Sequence, residues 1–263
     1  VDMARRHGVR QLGPNSMGVT NHLNDAVMTF GRMPASRAGA GRTIALVSQS
    51  GGLGMSLAQA MERGLSVSHT LTVGNASDAT IADFVSYLAE EPRCHAIACV
   101  FEGIGDPQRL LQAAEIAWQA DKPVIVYKMA TGERGAAAAL SHTGTLAGSQ
   151  AGYRATFERG HLICVDRLED VMETAAFFAK AGRARGRGIA VMTTSGGGAV
   201  MAADKAESNN VPLPPPGAAT LAILEQHIPD FGSRSNPCDL TAQVLNNESS
   251  MEACADALLA DPD

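Results

Sequence analysis

Short apolar runs rich in β-branched residues alternate with helical patterns along most of the chain. Five such runs occupy residues 43–47, 68–73, 96–101, 123–128 and 162–165. Apolar residues recur at helical spacing after the first run, as in Leu53, Leu57 and Met61. Nearly continuous apolar strands separated by helices predict a parallel sheet that is covered by helices on both faces, with right-handed crossovers.

The same pattern returns in the last third of the chain. A strand is predicted at 189–193, a turn at 194–198 and a helix at 199–208, after a basic, glycine-containing linker at 181–188. The predicted fold class is therefore α/β, with tandem flavodoxin-like or Rossmann-like doubly wound parallel sheets in domains 41–182 and 183–263. We expect the second domain to be incomplete at its end.

Residues 1–40 do not fit either domain. The segment 9–15 has the pattern of the last strand and turn of a preceding domain, followed by a linker. About 40 residues are too few for a separate core, so we expect them to be irregular or packed on the next domain. Together with a chain that opens on Val1, this predicts a fragment of a longer protein.

Composition limits the function. The chain has 263 residues, 45% of them hydrophobic but only 4% aromatic, which suits a sizeable α/β core with close helix-to-sheet packing. A net charge of -6 argues against a nucleic-acid-binding surface, so an anionic ligand must be held locally. The five cysteines form no CxxC pair, which indicates neither a zinc site nor a disulfide framework. Without a membrane-spanning run or signal peptide, the cytoplasm is the expected location and no membrane partner is expected.

Candidate chemistry collects where the predicted strands end. Ser50, Asn75, Glu102 and His142 each follow a strand, and ligands of doubly wound sheets bind at the carboxyl ends of the strands. Two strand-to-helix turns offer backbone N–H donors for a phosphate. The first turn contains Ser48, Gln49, Ser50, Gly51 and Gly52, and the second contains Thr194, Ser195, Gly196 and Gly197. His142 is predicted in a loop of small residues at 140–148, where an imidazole with such donors nearby can carry a phosphoryl group.

Five motifs occur in the order seen in one known family, and together they span nearly the whole chain. They are Gly13-Pro14-Asn15, the segment 47–52, Glu102, the segment 141–144 with Ala147-Gly148, and the segment 236–240. This set resembles the NDP-forming acyl-CoA synthetases, which are related to the alpha subunit of succinyl-CoA synthetase. The resemblance implies an acid–thiol ligase that forms acyl-CoA from a carboxylic acid, CoA and ATP. The reaction is reversible, yields ADP and phosphate, and passes through an acyl phosphate and a phosphohistidine.

The resemblance also implies roles for particular residues. His142 corresponds to the phosphorylated histidine and Glu102 to the carboxylate that orients it, while the two turns bind phosphate. Pro14, Asn15 and Asn75 correspond to CoA-binding positions. The glycine fingerprint of a CoA-binding domain and an ATP-grasp segment are not visible in the sequence. We therefore expect CoA and ATP or ADP with Mg²⁺ to be substrates of the full enzyme, and no metal or prosthetic group to bind this part.

The same family features predict the partners. They are a small-molecule carboxylate or acyl-CoA and an ATP-grasp domain or subunit, in a homo- or hetero-oligomer, and the chain alone is expected to be inactive. The acyl substrate stays open: acetate, a branched or aryl acid, and a dicarboxylate such as succinate all fit.

Two other functions are compatible with the residues. One is a non-catalytic CoA-binding or regulatory module of the same fold. The other is a serine hydrolase that uses Ser50 or Ser195 with His142 as the base, although Ser48 and Thr193 replace the first glycine of G-x-S-x-G. The first turn could also be a simple helix cap, Glu102 a first-turn helix acid, and the segment at Asn236 a plain turn.

Overall fold

The computed structural model describes residues 2–32, 41–143, 149–182, 186 and 188–262, with the backbone alone at positions 142 and 143. These residues form two compact units, 1–183 and 184–263. Residues 33–40, the end of the segment 1–40 that was expected to include a linker, lie outside the described residues. So do residues 183–185 and 187 of the linker expected at 181–188, and the segment 144–148 that follows the helix bearing His142.

The first unit is built on a seven-stranded sheet in the order β2-β1-β4-β3-β5-β6-β7. Its strands are β1 (Gly18–Asn21), β2 (Ala26–Thr29), β3 (Thr43–Ser48), β4 (Val67–Thr72), β5 (Cys94–Phe101), β6 (Val124–Lys128) and β7 (Ile163–Cys164). The five strands from β3 to β7 are parallel. Their order, 2-1-3-4-5 along the chain, is that of the flavodoxin fold. All five predicted strands are confirmed to within two residues.

Helices cover both faces of this sheet, and nearly every residue of the central strands is therefore buried. The helices are α1 (Asp2–Arg6), α2 (Gly51–Ala58), α3 (Ile81–Glu90), α4 (Pro107–Gln119), α5 (Glu133–Thr143), α6 (Gln150–Arg159) and α7 (Glu169–Ala181). Alternate strand residues point to opposite faces. On β3, Val47 therefore joins the core under α3 and α4, whereas Leu46 joins the core under α7.

Two local predictions in this unit were wrong, and one helix was not predicted. The strand expected within the segment 9–15 is irregular backbone, and the first 30 residues instead supply a β1–β2 hairpin whose β1 pairs antiparallel with β4. His142 does not lie in a loop: the good helix formers Ala136 to Ala139 belong to a helix that begins at Glu133 and continues through Thr143. Helix α6 was not predicted, because Phe157 is its only buried residue and its apolar pattern is weak.

The second unit contains two short parallel strands, β8 (Met192–Thr193) and β9 (Cys238–Asp239). Three helices pack around them: α8 (Gly196–Ser208), α9 (Ala218–His227) and α10 (Glu248–Ala260). Among the residues described, the predicted doubly wound sheet is thus present here only as this strand pair. No helix of the described ranges is both long and apolar enough to span a membrane.

Asn236 has a structural role in the second unit rather than the role of a plain turn residue. Its side-chain Nδ2 donates hydrogen bonds to the carbonyls of Ile189 (2.7 Å) and Pro214 (3.0 Å), and its Oδ1 accepts one from the N–H of Val191 (2.9 Å). One side-chain amide thereby aligns the segment that leads into β8 with the segment that leads into β9.

Candidate functional site at the carboxyl edge of the sheet

The turn between β3 and α2 is fixed by its own serines. Ser48 is fully buried, and its Oγ donates a hydrogen bond to the carbonyl of Ser50 (2.6 Å). Ser50 is the N-cap of α2, and its Oγ accepts a hydrogen bond from the N–H of Leu53 (3.4 Å). These contacts make Ser48 and Ser50 parts of the turn's framework and use the Ser50 hydroxyl as a helix cap. They do not prepare it as a nucleophile.

The two glycines of this turn differ in their surroundings: Gly51 is closely packed, whereas Gly52 faces open space. A Cβ on Gly51 would lie 2.2 Å from Cγ of Met17, whereas a Cβ on Gly52 would meet no atom within 4 Å. Gly51 therefore permits the chain to pass against Met17. Gly52 leaves the start of α2 open, where unpaired N–H groups and the helix dipole favour an anion.

Gln49 joins this turn to the segment that follows β5. The side chain is buried, with 4% of its surface exposed, and its Oε1 accepts hydrogen bonds from the N–H groups of Glu102 (2.7 Å) and Gly103 (3.2 Å). The backbone N–H of Gln49 donates to the carbonyl of Val100 (2.8 Å). The sequence motif places Gln49 among phosphate ligands; in the structure its side-chain oxygen holds the Glu102 backbone.

The three predicted CoA-binding residues lie together beside the same turn. The N–H of Asn75 donates to the carbonyl of Pro14 (2.9 Å), and Nδ2 of Asn15 is 3.5 Å from Oδ1 of Asn75. Gly74 has a φ of +57°, and a Cβ there would lie 2.3 Å from the Pro14 carbonyl oxygen. A pocket of about 380 Å³ is lined by Asn15 together with Phe30, Gln49, Ser50 and Gly52.

Lys128 is a further charged group at this edge. Burial lowers the pKa of Lys128, and the opposite charge of Glu102 acts to raise it. Its Nζ donates to the carbonyl of Met129 and lies 4.6 Å from the centre of the Tyr153 ring. Tyr153 in turn accepts a hydrogen bond from the N–H of Ile104 (2.8 Å). No sequence motif singles out these residues; the only signal for Lys128 is its position as the last residue of β6.

His142 belongs to the last turn of α5, which follows β6 at the same edge of the sheet. Its side chain lies outside the described part of the structure, so the structure places its backbone only. Most of α5 is exposed, with Ala139 as its buried contact. The structure thus brings together the first turn, Glu102, Asn15 and Asn75, and places the helix that bears His142 after the neighbouring strand.

The turn of the second unit repeats the first one closely. Oγ1 of Thr193 donates to the carbonyl of Ser195 (3.3 Å), as Oγ of Ser48 does to the carbonyl of Ser50. Ser195 is the N-cap of α8, but its hydroxyl makes no capping hydrogen bond. Asp239 lies close by, since a Cβ on Gly196 would be 3.2 Å from its Oδ2. Thr194 to Gly197 therefore form a second helix N-terminus that side chains leave uncapped.

The described residues contain no group of three or more His, Cys, Asp or Glu side chains that could hold a metal ion. The polar groups of the first turn belong instead to a backbone-rich site. Such a site suits an oxyanion that needs N–H donors.

Comparisons with known proteins agree with this fold. The model of the succinyl-CoA ligase like flavodoxin domain matches residues 40–178. The chain is 34% identical over 260 residues to the alpha subunit of acetate–CoA ligase (ADP-forming) I from Pyrococcus furiosus, covering 98% of this chain and 54% of that protein. It is 30% identical over 251 residues to 4-hydroxybutyrate–CoA ligase (ADP-forming) from Nitrosopumilus maritimus, covering 93% and 35%.

A solved structure shows the same architecture. The dinucleotide forming acetyl-coenzyme A synthetase 1 of Ca. Korarchaeum cryptofilum, in complex with phosphate and ADP, matches with a TM-score of 0.87 at 28% identity. The match covers 100% of this chain and 56% of that one. The chain therefore spans about half the length, or less, of the relatives it matches.

Proposed function

Because the chain belongs to the succinyl-CoA ligase like family through its flavodoxin domain, we propose that it is part of an ADP-forming acid–CoA ligase. The full enzyme converts a carboxylic acid, CoA and ATP into acyl-CoA, ADP and phosphate, and the reaction is reversible. One observation carries the assignment to this site. Gln49 holds the phosphate-type turn and the Glu102 backbone together at the carboxyl edge, beside Asn15 and Asn75.

The proposed chemistry proceeds in three transfers. ATP phosphorylates a ring nitrogen of His142 and releases ADP. A carboxylate oxygen of the acid then attacks the phosphorus, so that the P–N bond breaks and an acyl phosphate forms. Finally the CoA thiolate attacks the acyl carbon and expels phosphate.

Glu102 and the helix N-termini have complementary roles in these steps. A carboxylate at one ring nitrogen of His142 fixes the tautomer and stabilises positive charge on the ring. Each helix N-terminus acts as roughly half a positive charge. The start of α2, at Gly52, therefore offsets part of the charge of a phosphoryl dianion without a lysine. The start of α8, at Thr194 to Gly197, offers donors of the same kind in the second unit.

CoA and ATP are substrates in this proposal. The pocket beside Asn15, with Pro14 and Asn75, would receive part of CoA. ATP and its Mg²⁺ would bind an ATP-grasp domain or subunit, which makes that unit the partner of this chain in a homo- or hetero-oligomer. The helix that bears His142 is mostly exposed, which suits a segment that must reach a second nucleotide site.

Phosphoryl labelling tests the proposal. We expect the full-length protein, with its ATP-grasp part, to form an acid-labile and base-stable phosphoprotein from [γ-³²P]ATP. His142→Ala should abolish the label. His161→Ala is the matched control, because His161 is an exposed residue stacked on Trp118 with ring centroids 4.5 Å apart. Label that persists in His142→Ala would contradict the phosphohistidine. CoA binding without label would favour the regulatory module, and labelling of Ser50 by an activated-serine probe would favour a hydrolase.

A further inference from the structure

A second pocket opens at the same edge of the sheet, between the starts of α3 and α4. It has a volume of about 490 Å³, within the range of small-molecule sites. Gln49 lines both this pocket and the pocket beside Asn15, so the two spaces share a wall. Asn75 lines the second pocket as well. The rest of its inner surface comes from Ala76, Ile81, Ala82, Gly103 and Ile104.

The inner walls of this pocket are apolar and well supported. Ile81 and Ala82 are themselves buried members of the core under α3 and α4. Ala76 and Ile104 pack against the same core. A pocket whose walls belong to the core keeps its shape, and burying an apolar group in it is favourable.

The polar groups at the rim are already paired with one another. Thr80 and Asp83 form a capping box at the start of α3. The carboxylate of Asp106 accepts hydrogen bonds from the N–H groups at the start of α4. Arg109, the one cation among the described lining residues, donates to Oδ1 of Asp83. The only cation that the described residues place at the rim is therefore already paired, and it is not free to bind the second carboxylate of a dicarboxylic acid.

We propose that this pocket binds the acyl group of the substrate, and that the substrate is a monocarboxylic acid with a branched or aryl group larger than acetyl. The assignment rests on the proposed ligase function, because it places the reacting carboxyl at the Gln49 turn and the rest of the acid in the pocket. An acetyl group would leave most of the space to water in contact with apolar walls. A dicarboxylate would bury a charge beside Ile81 and Ile104 without a free partner.

Ala76 is the position where the wall can be changed most directly. It lies in the segment between β4 and α3, has a φ of +50°, and is only partly buried. Lengthening its side chain to leucine fills the pocket, while shortening Ile104 to alanine widens it. Ala120→Leu and Ile116→Ala are matched controls, since both positions are exposed at the outer surface of α4 or its end.

The test uses the full enzyme with its ATP-grasp part and compares kcat/KM for acetate, isovalerate, phenylacetate and succinate. We expect isovalerate or phenylacetate to exceed acetate and succinate by about tenfold or more. Ala76→Leu should lower kcat/KM for both apolar acids by about tenfold and change acetate by less than about threefold. Ile104→Ala should raise the preference for phenylacetate over isovalerate by about threefold or more. The two control variants should keep the wild-type order of acids.

Other results would overturn the assignment. A wild-type enzyme that prefers acetate or succinate rejects the pocket as the acyl site. The same holds if Ala76→Leu and Ile104→Ala lower kcat/KM equally for all acids. Should Ala76→Leu fail to fold, Ile104→Ala decides alone. A wild-type enzyme that converts none of the four acids and forms no phosphohistidine from ATP would overturn the proposed ligase function as well. A ligase active on acetate alone would overturn only the pocket.

Discussion

The backbone N–H of Glu102 donates a 2.7 Å hydrogen bond to the side-chain oxygen of Gln49, 53 residues earlier in the chain. The next N–H, that of Gly103, donates to the same oxygen. One buried amide therefore sets the distance between the phosphate-type turn after β3 and the carboxylate after β5. The position of Glu102 depends on a neighbour that need not touch the substrate.

Replacement of Gln49 should therefore affect both stability and activity. Gln49→Ala leaves the N–H groups of Glu102 and Gly103 without their acceptor, and we expect the free energy of unfolding to fall by about 1–3 kcal/mol. Acyl-CoA formation should fall too, because Glu102 loses its support. Denaturant unfolding and kcat measure the two effects. Gln119→Ala removes only a surface contact with Glu115 and should cost less than about 0.5 kcal/mol; an equal loss in both variants would contradict this role of Gln49.

The two serine N-caps should respond differently to alanine. Ser50 caps α2 through the N–H of Leu53, so Ser50→Ala should lower the free energy of unfolding by about 1 kcal/mol. The Ser195 hydroxyl makes no capping bond to α8, so Ser195→Ala should cost clearly less. Hydrogen exchange gives a local readout: protection of the Leu53 amide should fall in Ser50→Ala and stay unchanged in Ser195→Ala. Similar losses in the two variants would mean that the Ser50 cap contributes little.

Gly74 is expected to tolerate no side chain. In Gly74→Ala the new Cβ would meet the Pro14 carbonyl at 2.3 Å in addition to the unfavourable positive φ. Gly64 is the matched control, because its φ is +90° and a Cβ there would meet nothing within 4 Å. Gly64→Ala should lower the free energy of unfolding by about 1–2 kcal/mol, which is the cost of the left-handed conformation alone. Gly74→Ala should lower Tm further, and it should weaken CoA binding in the full enzyme while Gly64→Ala does not.

His69 should make the first unit sensitive to acid. It is buried on β4, and neither ring nitrogen has a hydrogen-bond partner among the described residues. Burial lowers its pKa from the ordinary 6.5; Glu91 acts to raise it and His22 to lower it. The unfolded chain then binds the proton more tightly, so stability is retained above pH 6.5 and declines as pH falls below that value.

Urea unfolding at several pH values tests this role of His69. Between about pH 7 and pH 5, the free energy of unfolding should fall more steeply in the wild type than in His69→Leu, by at most about 1.4 kcal/mol per pH unit. His161→Leu changes an exposed histidine and should keep the wild-type slope. Identical slopes in the wild type and His69→Leu would show that other groups control the acid response.

Local pattern was enough to predict the parallel strands. Residues 43–47 and 96–101 are apolar and β-branched because both faces of their strands are covered, and such runs are visible without any knowledge of their partners. The hairpin could not be found in this way. Its strands, Gly-Val-Thr-Asn and Ala-Val-Met-Thr, are short and mixed. The first becomes a strand by pairing with β4 some 50 residues later, and the second by pairing with the first.

In the candidate site, too, the local features could be predicted from the sequence and the long-range contacts could not. The turn residues from Ser48 to Gly52 carry a local signal, because small residues between a strand and a helix favour a phosphate-type turn. The use of Gln49 depends on the register between β3 and β5, and the contact of Lys128 with Tyr153 depends on α6 packing beside β6. Such long-range geometry leaves no pattern in neighbouring residues.

The hairpin also decides where this protein can be divided. Sequence periodicity suggests a cut just before Gly41, yet β1 lies along the edge of β4 and Asp78 binds the side chain of Arg10 and the backbone of Gln11. Removing the first 40 residues would expose the N–H and C=O groups along β4, a row that readily pairs with another chain. A version trimmed at the apparent boundary is thus prone to aggregate, and a minimal flavodoxin-like domain should keep residues from Arg10 onward.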